Sequence, residues 1–282
     1  MSNIIHKNRF RVSITPKCNM QCIYCHNEGN NSSRADMSIP ELDNILSLGL
    51  KLGINEIRLT GGEPLLHPDI KTICGIIKNK FRMTVSINTN LVRYHILNEL
   101  LQNNLVDYVV VGVDYYKGKV SKNSPIGLSS KNILGNVLKI RESYGDIVSI
   151  SAVYNKDYDN MRELASFCID NLIRLKIIEQ QSLNIDSNYV RGYMDMKNQF
   201  MNTFSLTWEI DEYSEMHGKL NENILLSFFQ SFCRLKQCQL CKVNQLRITS
   251  DGYIKTCIFK GEDDFKYSDY DALSKLHNIY HI

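Results

Sequence analysis

Residues 10–25 read Phe10-Arg11-Val12-Ser13-Ile14-Thr15-Pro16-Lys17-Cys18-Asn19-Met20-Gln21-Cys22-Ile23-Tyr24-Cys25. Phe10–Thr15 alternates well enough for a β-strand. The loop that leaves it carries three cysteines at C-x3-C-x2-C spacing. Three thiolates can hold three irons of a cubane iron–sulfur cluster and leave the fourth without a protein ligand. An open metal position is a reaction position, by the logic that separates catalytic from structural zinc. The competing reading is a structural zinc knot. Zinc sites pair cysteines as two C-x2-C halves and need a fourth ligand, and only His26 is spare nearby.

Outward from this stretch, strands and helices alternate. Ser38-Ile39-Pro40-Glu41 has the form of a capping box, and the helix it opens stops at Gly53. Strands are expected at 54–60, 83–87, 108–113, 147–153 and 174–178, with helices at 69–80, 92–102, 130–144 and 160–172. Six βα alternations in about 175 residues predict a parallel sheet that curls but does not close, a partial (β/α)6 TIM-type barrel. The barrel is expected over 8–181, followed by a helical bridging segment at 182–228 and a small cysteine-bearing module with the C-terminal tail at 229–282.

Composition narrows the class. The 282 residues are 43% apolar, enough for a sizeable core, and 33 basic against 30 acidic side chains give a net charge of +3. That balance argues against a nucleic-acid polymer as partner. Met1 to Phe10 has no apolar signal region, and no run is long enough to span a membrane. Nine cysteines in such a chain point to a reducing cytoplasm, where cysteine clusters are metal or redox sites rather than disulfides.

Two further motifs carry chemistry. Thr60-Gly61-Gly62-Glu63-Pro64 ends the second strand, and two glycines there expose backbone to a ligand. Near the C-terminus the pattern is Cys233-x4-Cys238-x2-Cys241, then Asp251-Gly252 and Cys257. A hairpin at Asp251-Gly252 returns Cys257 toward the C-x2-C pair. From spacing alone, zinc and a 4Fe–4S cluster fit this set comparably. Cys74 and Cys168 sit among apolar neighbours and are expected in the core.

The cysteine loop and the Gly-Gly-Glu-Pro turn together resemble the radical S-adenosylmethionine (SAM) superfamily. The resemblance implies a 4Fe–4S cluster on Cys18, Cys22 and Cys25 that binds SAM and cleaves it reductively to a 5′-deoxyadenosyl radical. It implies SAM contacts from Tyr24 near the adenine, Gly61, Gly62 and Glu63 at the methionine amino group, and from Asn88, Gly112 and Gln181. Glycine at 112 lacks the hydroxyl of the serine often found there. The C-terminal pattern resembles a twitch or SPASM module, which implies a second, auxiliary 4Fe–4S cluster on Cys238, Cys241 and Cys257. Cys233 is a fourth ligand, a hydrogen donor to a substrate radical, or neither.

More narrowly, Arg11–Thr15, Cys25–Gly29, Ile177–Glu179, Ser231–Cys233, Asn244–Gly252 and Cys257–Phe259 are similar, in order, to the MoaA-like GTP 3′,8-cyclases of molybdenum cofactor synthesis. That likeness implies a substrate pocket using Arg11, Arg58, Thr89, Lys176 and Arg247. Lys176 and Gln245 stand where arginine is usual, and Ser149 or Ser151 where a lysine is expected. The last residues, Tyr280-His281-Ile282, are not the Gly-Gly pair of that subfamily. The expectation is a radical SAM enzyme, with GTP cyclisation as one version. The alternative is the same chemistry on a different nucleotide, peptide or small metabolite. A non-catalytic zinc- or cluster-binding protein is the third reading. The implied partners are a small-molecule or peptide substrate and a reducing protein such as flavodoxin or ferredoxin.

Overall fold

Strand β1 (Arg9–Ser13) starts a run in which each strand is followed by a helix: α1 (Ile39–Lys51), β2 (Glu56–Thr60), α2 (Ile70–Gly75), β3 (Thr84–Thr89), α3 (Tyr94–Gln102), β4 (Tyr108–Gly112), α4 (Ser130–Tyr144), β5 (Val148–Val153), α5 (Tyr158–Asp170) and β6 (Arg174–Ile178). Helix α2 continues as a π-helical turn, Ile76–Lys80. These come from a computed structural model, which describes residues 9–22, 24–30, 35–117, 129–180, 187–211, 215–231, 233 and 246–280. The capping box is present: Ser38 Oγ accepts from the Glu41 N–H at 3.4 Å, and Glu41 Oε2 accepts from the Ser38 N–H at 3.0 Å. Gly53, at φ +69°, follows the helix end.

After β6 come α6 (Ser187–Thr203), β7 (Thr207–Ile210), β8 (Met216–Leu220), β9 (Asn223–Phe229), β10 (Arg247–Ile248), β11 (Tyr253–Lys255), β12 (Phe265–Lys266) and α7 (Ala272–Tyr280). The segment expected to be a helical bridge is therefore one helix followed by three strands. Its β8–β9 connection is Asn221–Glu222, both in the left-handed region at φ 49° and 67°. That is the backbone of a tight hairpin turn, reached without the glycine that usually announces it. The aromatic and branched residues around it then pair rather than coil.

The twelve strands among the described residues form one open sheet in the order β12-β11-β10-β1-β2-β3-β4-β5-β6-β9-β8-β7. The pairs from β10 through β1–β6 to β9 are all parallel, and the outer pairs on both flanks are antiparallel. The expected half-barrel is thus present and unclosed. No helix among the described residues is long and apolar enough to cross a membrane.

Alternation along the parallel strands separates two faces. Phe10, Val12, Ile57, Leu59, Val85, Ile87, Val109, Val111, Ile150, Leu175 and Ile177 are all buried in the core, on the helix side. The opposite, concave face carries Arg9, Arg11, Arg58, Ser86, Asn88, Ser149, Ser151, Lys176 and Ser227. Register places Arg247, Arg11, Arg58 and Ser86 side by side across four strands. A closed barrel fills this interior with branched apolar side chains. Here it is polar and charged, the lining of a site.

Candidate active site

The cysteine loop is fastened to the end of β2 by backbone alone. The Gly62 N–H donates to Thr15 O at 2.7 Å, and the Glu63 N–H to Lys17 O at 2.8 Å. Gly61 has φ +143°, and a Cβ there would lie 2.3 Å from Thr15 O. At Gly62 a Cβ would lie 2.1 Å from Lys17 O. Both glycines are required by this approach, independently of any ligand.

Cys18 and Cys25 are exposed and Cys22 is half-buried, and none of the three is in a disulfide. The Met20 N–H donates to Cys18 Sγ at 3.4 Å and the Asn27 N–H to Cys25 Sγ at 3.3 Å. Burial raises the Cys18 thiol, and the charges of Glu63 and Cys25 add to it. Burial and Asp114 push Cys22 up to about 11. Three thiolates on this loop need a cation among them, which a soft, sulfur-binding metal cluster supplies. At the ends of β2 and β3, the first of which the cysteine loop packs against, Thr60 Oγ1 and Asn88 Oδ1 are buried without a hydrogen-bond partner. Native interiors rarely leave such atoms unsatisfied. The donor set fits an iron–sulfur cluster, and the orphaned atoms fit a polar ligand next to it.

The side chains around this loop have defined partners. Glu63 is buried and accepts from the Thr89 hydroxyl at 2.8 Å, the Asn90 N–H at 2.8 Å and the Leu65 N–H at 3.1 Å. Burial outweighs these bonds and pushes its pKa up to about 7. Thr89, expected to meet substrate, uses its hydroxyl to join β2 to β3. Tyr24 donates its phenol to Asp114, beyond the end of β4. Asp114 also accepts from the Val153 N–H at 2.8 Å, and burial pushes it up to about 6. Gly112 is exposed, and the nearest atom to a Cβ there would be Thr89 O at 3.9 Å.

Deeper in the concave face, Glu28 bridges two arginines. Arg11 Nη2 donates to Glu28 Oε1 at 2.6 Å, and Arg247 Nε to Oε2 at 2.7 Å. Burial alone would raise this carboxyl, but Arg11 and Arg247 hold it well below the usual range. His26, its Nδ1 accepting the Glu28 N–H at 3.1 Å, is pushed down to about 4 by burial and by the same arginines. A second triad lies alongside. Glu56 Oε1 receives Arg9 Nη1 at 3.3 Å and Arg58 Nη2 at 3.4 Å, and Ser86 bonds both Glu56 and Arg58. Burial, then Arg9 and Arg11, lower Arg58 to about 9.

On the far wall, Lys176 lies 3.4 Å from Glu215 and 4.3 Å from the Phe229 ring centre. His217, buried, bonds Ser227 Oγ at 2.9 Å and Asp211 Oδ2 at 3.2 Å. Glu28, Glu56, Glu215 and the Asp211–His217 pair were not visible as site residues in the sequence. Glu28 lies within the Cys25–Gly29 stretch that carries the resemblance, which marked the segment but not the role of this carboxylate; Glu56 had no signal beyond sharing a face with Arg58.

The C-terminal cysteines are described only in part. The hairpin at Asp251–Gly252 is present between β10 and β11, with Gly252 at φ +79°. It leads to half-buried Cys257, whose Sγ accepts the Phe259 N–H at 3.4 Å. Cys233 is half-buried too. Cys238, Cys241 and Gln181 lie outside the described residues. Cys74 and Cys168 are buried in the core as expected.

The chain is similar to known proteins in sequence and in fold. The chain is 25% identical over 273 residues to a probable GTP 3′,8-cyclase of Methanococcus maripaludis, covering 90% of this chain and 86% of the relative. It is 26% identical over 265 residues to the probable GTP 3′,8-cyclase of Methanocaldococcus jannaschii, covering 90% and 85%. Among solved structures, Streptococcus suis SuiB bound to its precursor peptide SuiA superimposes with a TM-score of 0.69 at 17% identity, covering 97% of this chain and 66% of SuiB. Native anSMEcpe with bound AdoMet gives a TM-score of 0.69 at 16% identity, covering 97% of this chain and 81% of that one. These likenesses concern the fold. Residues 12–168, more than half the chain, match the model of the radical SAM superfamily. With the cysteine loop, the glycine turn against it and the open parallel sheet, the match means that this chain belongs to the radical SAM superfamily.

Proposed function

We propose that this chain abstracts hydrogen from a small substrate held against the concave face, in a reaction of the GTP 3′,8-cyclase kind. The reading is carried by the junction of the cysteine loop with Gly61–Gly62, flanked by the unpartnered buried atoms Thr60 Oγ1 and Asn88 Oδ1. Cys18, Cys22 and Cys25 would hold a 4Fe–4S cluster that, with SAM bound, supplies a carbon-centred radical. The chain's own residues do the rest. The Gly61–Gly62 turn holds the cysteine loop against the end of β2, where SAM would sit beside the cluster. Thr60 and Asn88 offer it a hydroxyl and an amide. The Tyr24–Asp114 bond holds the cysteine loop to the β4–β5 edge, which fixes the loop's orientation. Polar side chains on the strand ends orient the bound substrate, which steers an open-shell species toward one product.

Further parts of the proposal rest on the resemblance. Cys238, Cys241 and Cys257, with or without Cys233, hold an auxiliary 4Fe–4S cluster. A flavodoxin- or ferredoxin-class protein supplies the electron, in a reducing cytoplasm.

GTP is the first substrate to test, because the relatives bear that name. A second reading, the same chemistry on another substrate, is favoured by one observation: Arg11, Arg247, Arg9 and Arg58 are already bound to Glu28 and Glu56. Reconstituted protein is incubated anaerobically with SAM, reductant and GTP, and products are read by mass spectrometry. 5′-Deoxyadenosine with a GTP isomer supports cyclisation. 5′-Deoxyadenosine with intact GTP keeps the radical reading and selects the second substrate. Iron-loaded protein that forms no 5′-deoxyadenosine with any reductant overturns both.

A further inference from the structure

The cationic side chains of the concave face are compensated from within. Arg11 and Arg247 share Glu28, and Arg9 and Arg58 share Glu56. Lys176 is matched by Glu215. Lys255, register partner of Arg247, is matched by Asp264. Counted over these named groups alone, each triad sums to one positive charge and each lysine pair to none. Asp211, bonded to His217, lowers the excess further. A face described as a row of arginines thus presents an excess of at most two positive charges among the described residues.

Buried charge has to be matched by its ligand, because in a low-dielectric site an unmatched charge is expensive. A phosphate monoester carries about −1.5 to −2 near neutrality and a carboxylate about −1. A triphosphate carries roughly twice the monoester's charge. It would face the Glu28 and Glu56 carboxylates as well as the arginines. One donor is nevertheless left for an anion: Arg11 Nε is buried without a hydrogen-bond partner.

We propose that the concave face takes a substrate bearing a single anionic group, a carboxylate or a phosphate monoester, seated at the two Arg–Glu–Arg triads, and that Glu28 and Glu56 select against polyphosphate. The proposal deepens the second reading above and rests on it. Glu28 acts as a built-in counter-ion: it holds Arg11 and Arg247 in place while cancelling half of their charge. Glu56 does the same for Arg9 and Arg58.

The test uses full-length, anaerobically reconstituted protein and five probes by titration calorimetry: acetate, inorganic phosphate, inorganic tripolyphosphate, and GMP and GTP as a matched pair. Wild type is expected to bind tripolyphosphate no more than about threefold tighter than phosphate, and GTP no tighter than GMP. E28Q and E56Q, on separate triads, are each expected to raise the tripolyphosphate-to-phosphate ratio about tenfold, a change of about 1.4 kcal/mol. Acetate binding tighter than phosphate identifies a carboxylate, and the reverse a phosphate monoester. Wild-type preference for tripolyphosphate above tenfold overturns the proposal. So does an unchanged ratio in both variants, or no binding of any probe. 5′-Deoxyadenosine release from SAM alone, measured in the same samples, reports on the radical reading separately: its presence with a failed anion test rejects only the substrate class.

Discussion

A side chain at Gly62 would start 2.1 Å from the carbonyl oxygen of Lys17, the residue before the first cysteine of the loop. Because nothing but backbone lies on either side of this contact, no rotamer change relieves it. Gly62→Ala is expected to push the loop away from β2 and to cost about 1–3 kcal/mol. Iron bound after anaerobic reconstitution should fall by more than half. Gly75→Ala, where a Cβ meets nothing within 4 Å, should bind iron normally. Equal iron content in the two variants would refute the argument.

The three cysteines should be interdependent. Cys22→Ala leaves two thiolates, too few to hold a cubane cluster with one open iron. The expected result is loss of the visible iron–sulfur absorbance from this site and no 5′-deoxyadenosine above background. Cys74→Ala, in the core, should lower stability by about 1–3 kcal/mol and leave SAM cleavage in place. SAM cleavage by the Cys22 variant at the wild-type rate would remove it from the ligand set.

Breaking the Glu28 triad should loosen the C-terminal strands. Arg247 on β10 and Arg11 on β1 meet through that one buried carboxylate. Removing one partner of a buried ion network costs about 3–5 kcal/mol, more than an exposed pair would. Arg247→Met is therefore expected to lower the denaturation midpoint and to open the region after residue 229 to limited proteolysis before the barrel. Lys71→Met, which breaks the exposed Lys71–Glu99 pair, should do neither.

Two groups give opposite pH signatures in the metal-free protein. Glu63, pushed up to about 7 by burial, holds its proton more tightly folded than unfolded, so its contribution to stability declines as pH rises from about 4.5 to 7. His26, pushed down to about 4 by burial, resists protonation when folded, so its contribution declines as pH falls from about 6.5 to 4. Relative to wild type, Glu63→Gln should gain stability with rising pH and His26→Asn with falling pH. Each trend should span about 3 kcal/mol. Urea titrations at pH 4.5, 5.5 and 6.5 would expose a trend of the wrong sign.

Much of this was legible in the sequence. Ser38 and Glu41 announced a helix start, valines 109 to 111 a buried strand, and the cysteine spacing with the Gly-Gly-Glu-Pro turn the superfamily. Each of these depends on neighbours close in sequence. The β8–β9 hairpin was missed because Asn221–Glu222 adopts left-handed backbone without glycine. The triads were missed for a different reason. Glu28 meets Arg247 across 219 positions, and no local pattern tells which carboxylate will find which arginine. Arg11 and Arg58 were picked out as substrate ligands, but their neutralisation follows from strand register, which only the assembled sheet supplies.

The two flanks of the parallel array have one more consequence. The chain leaves the sheet at Phe229 beside β6 and re-enters it at Arg247 beside β1, so the last third of the sequence borders both sides. A shortened chain ending after β6 would expose two unpaired strand borders at once, each a template for intermolecular pairing. The segment that frames the site therefore also caps β1 and β6, and hands the two sheet borders to the short strands β12 and β7, whose few backbone groups make poor templates for a further strand.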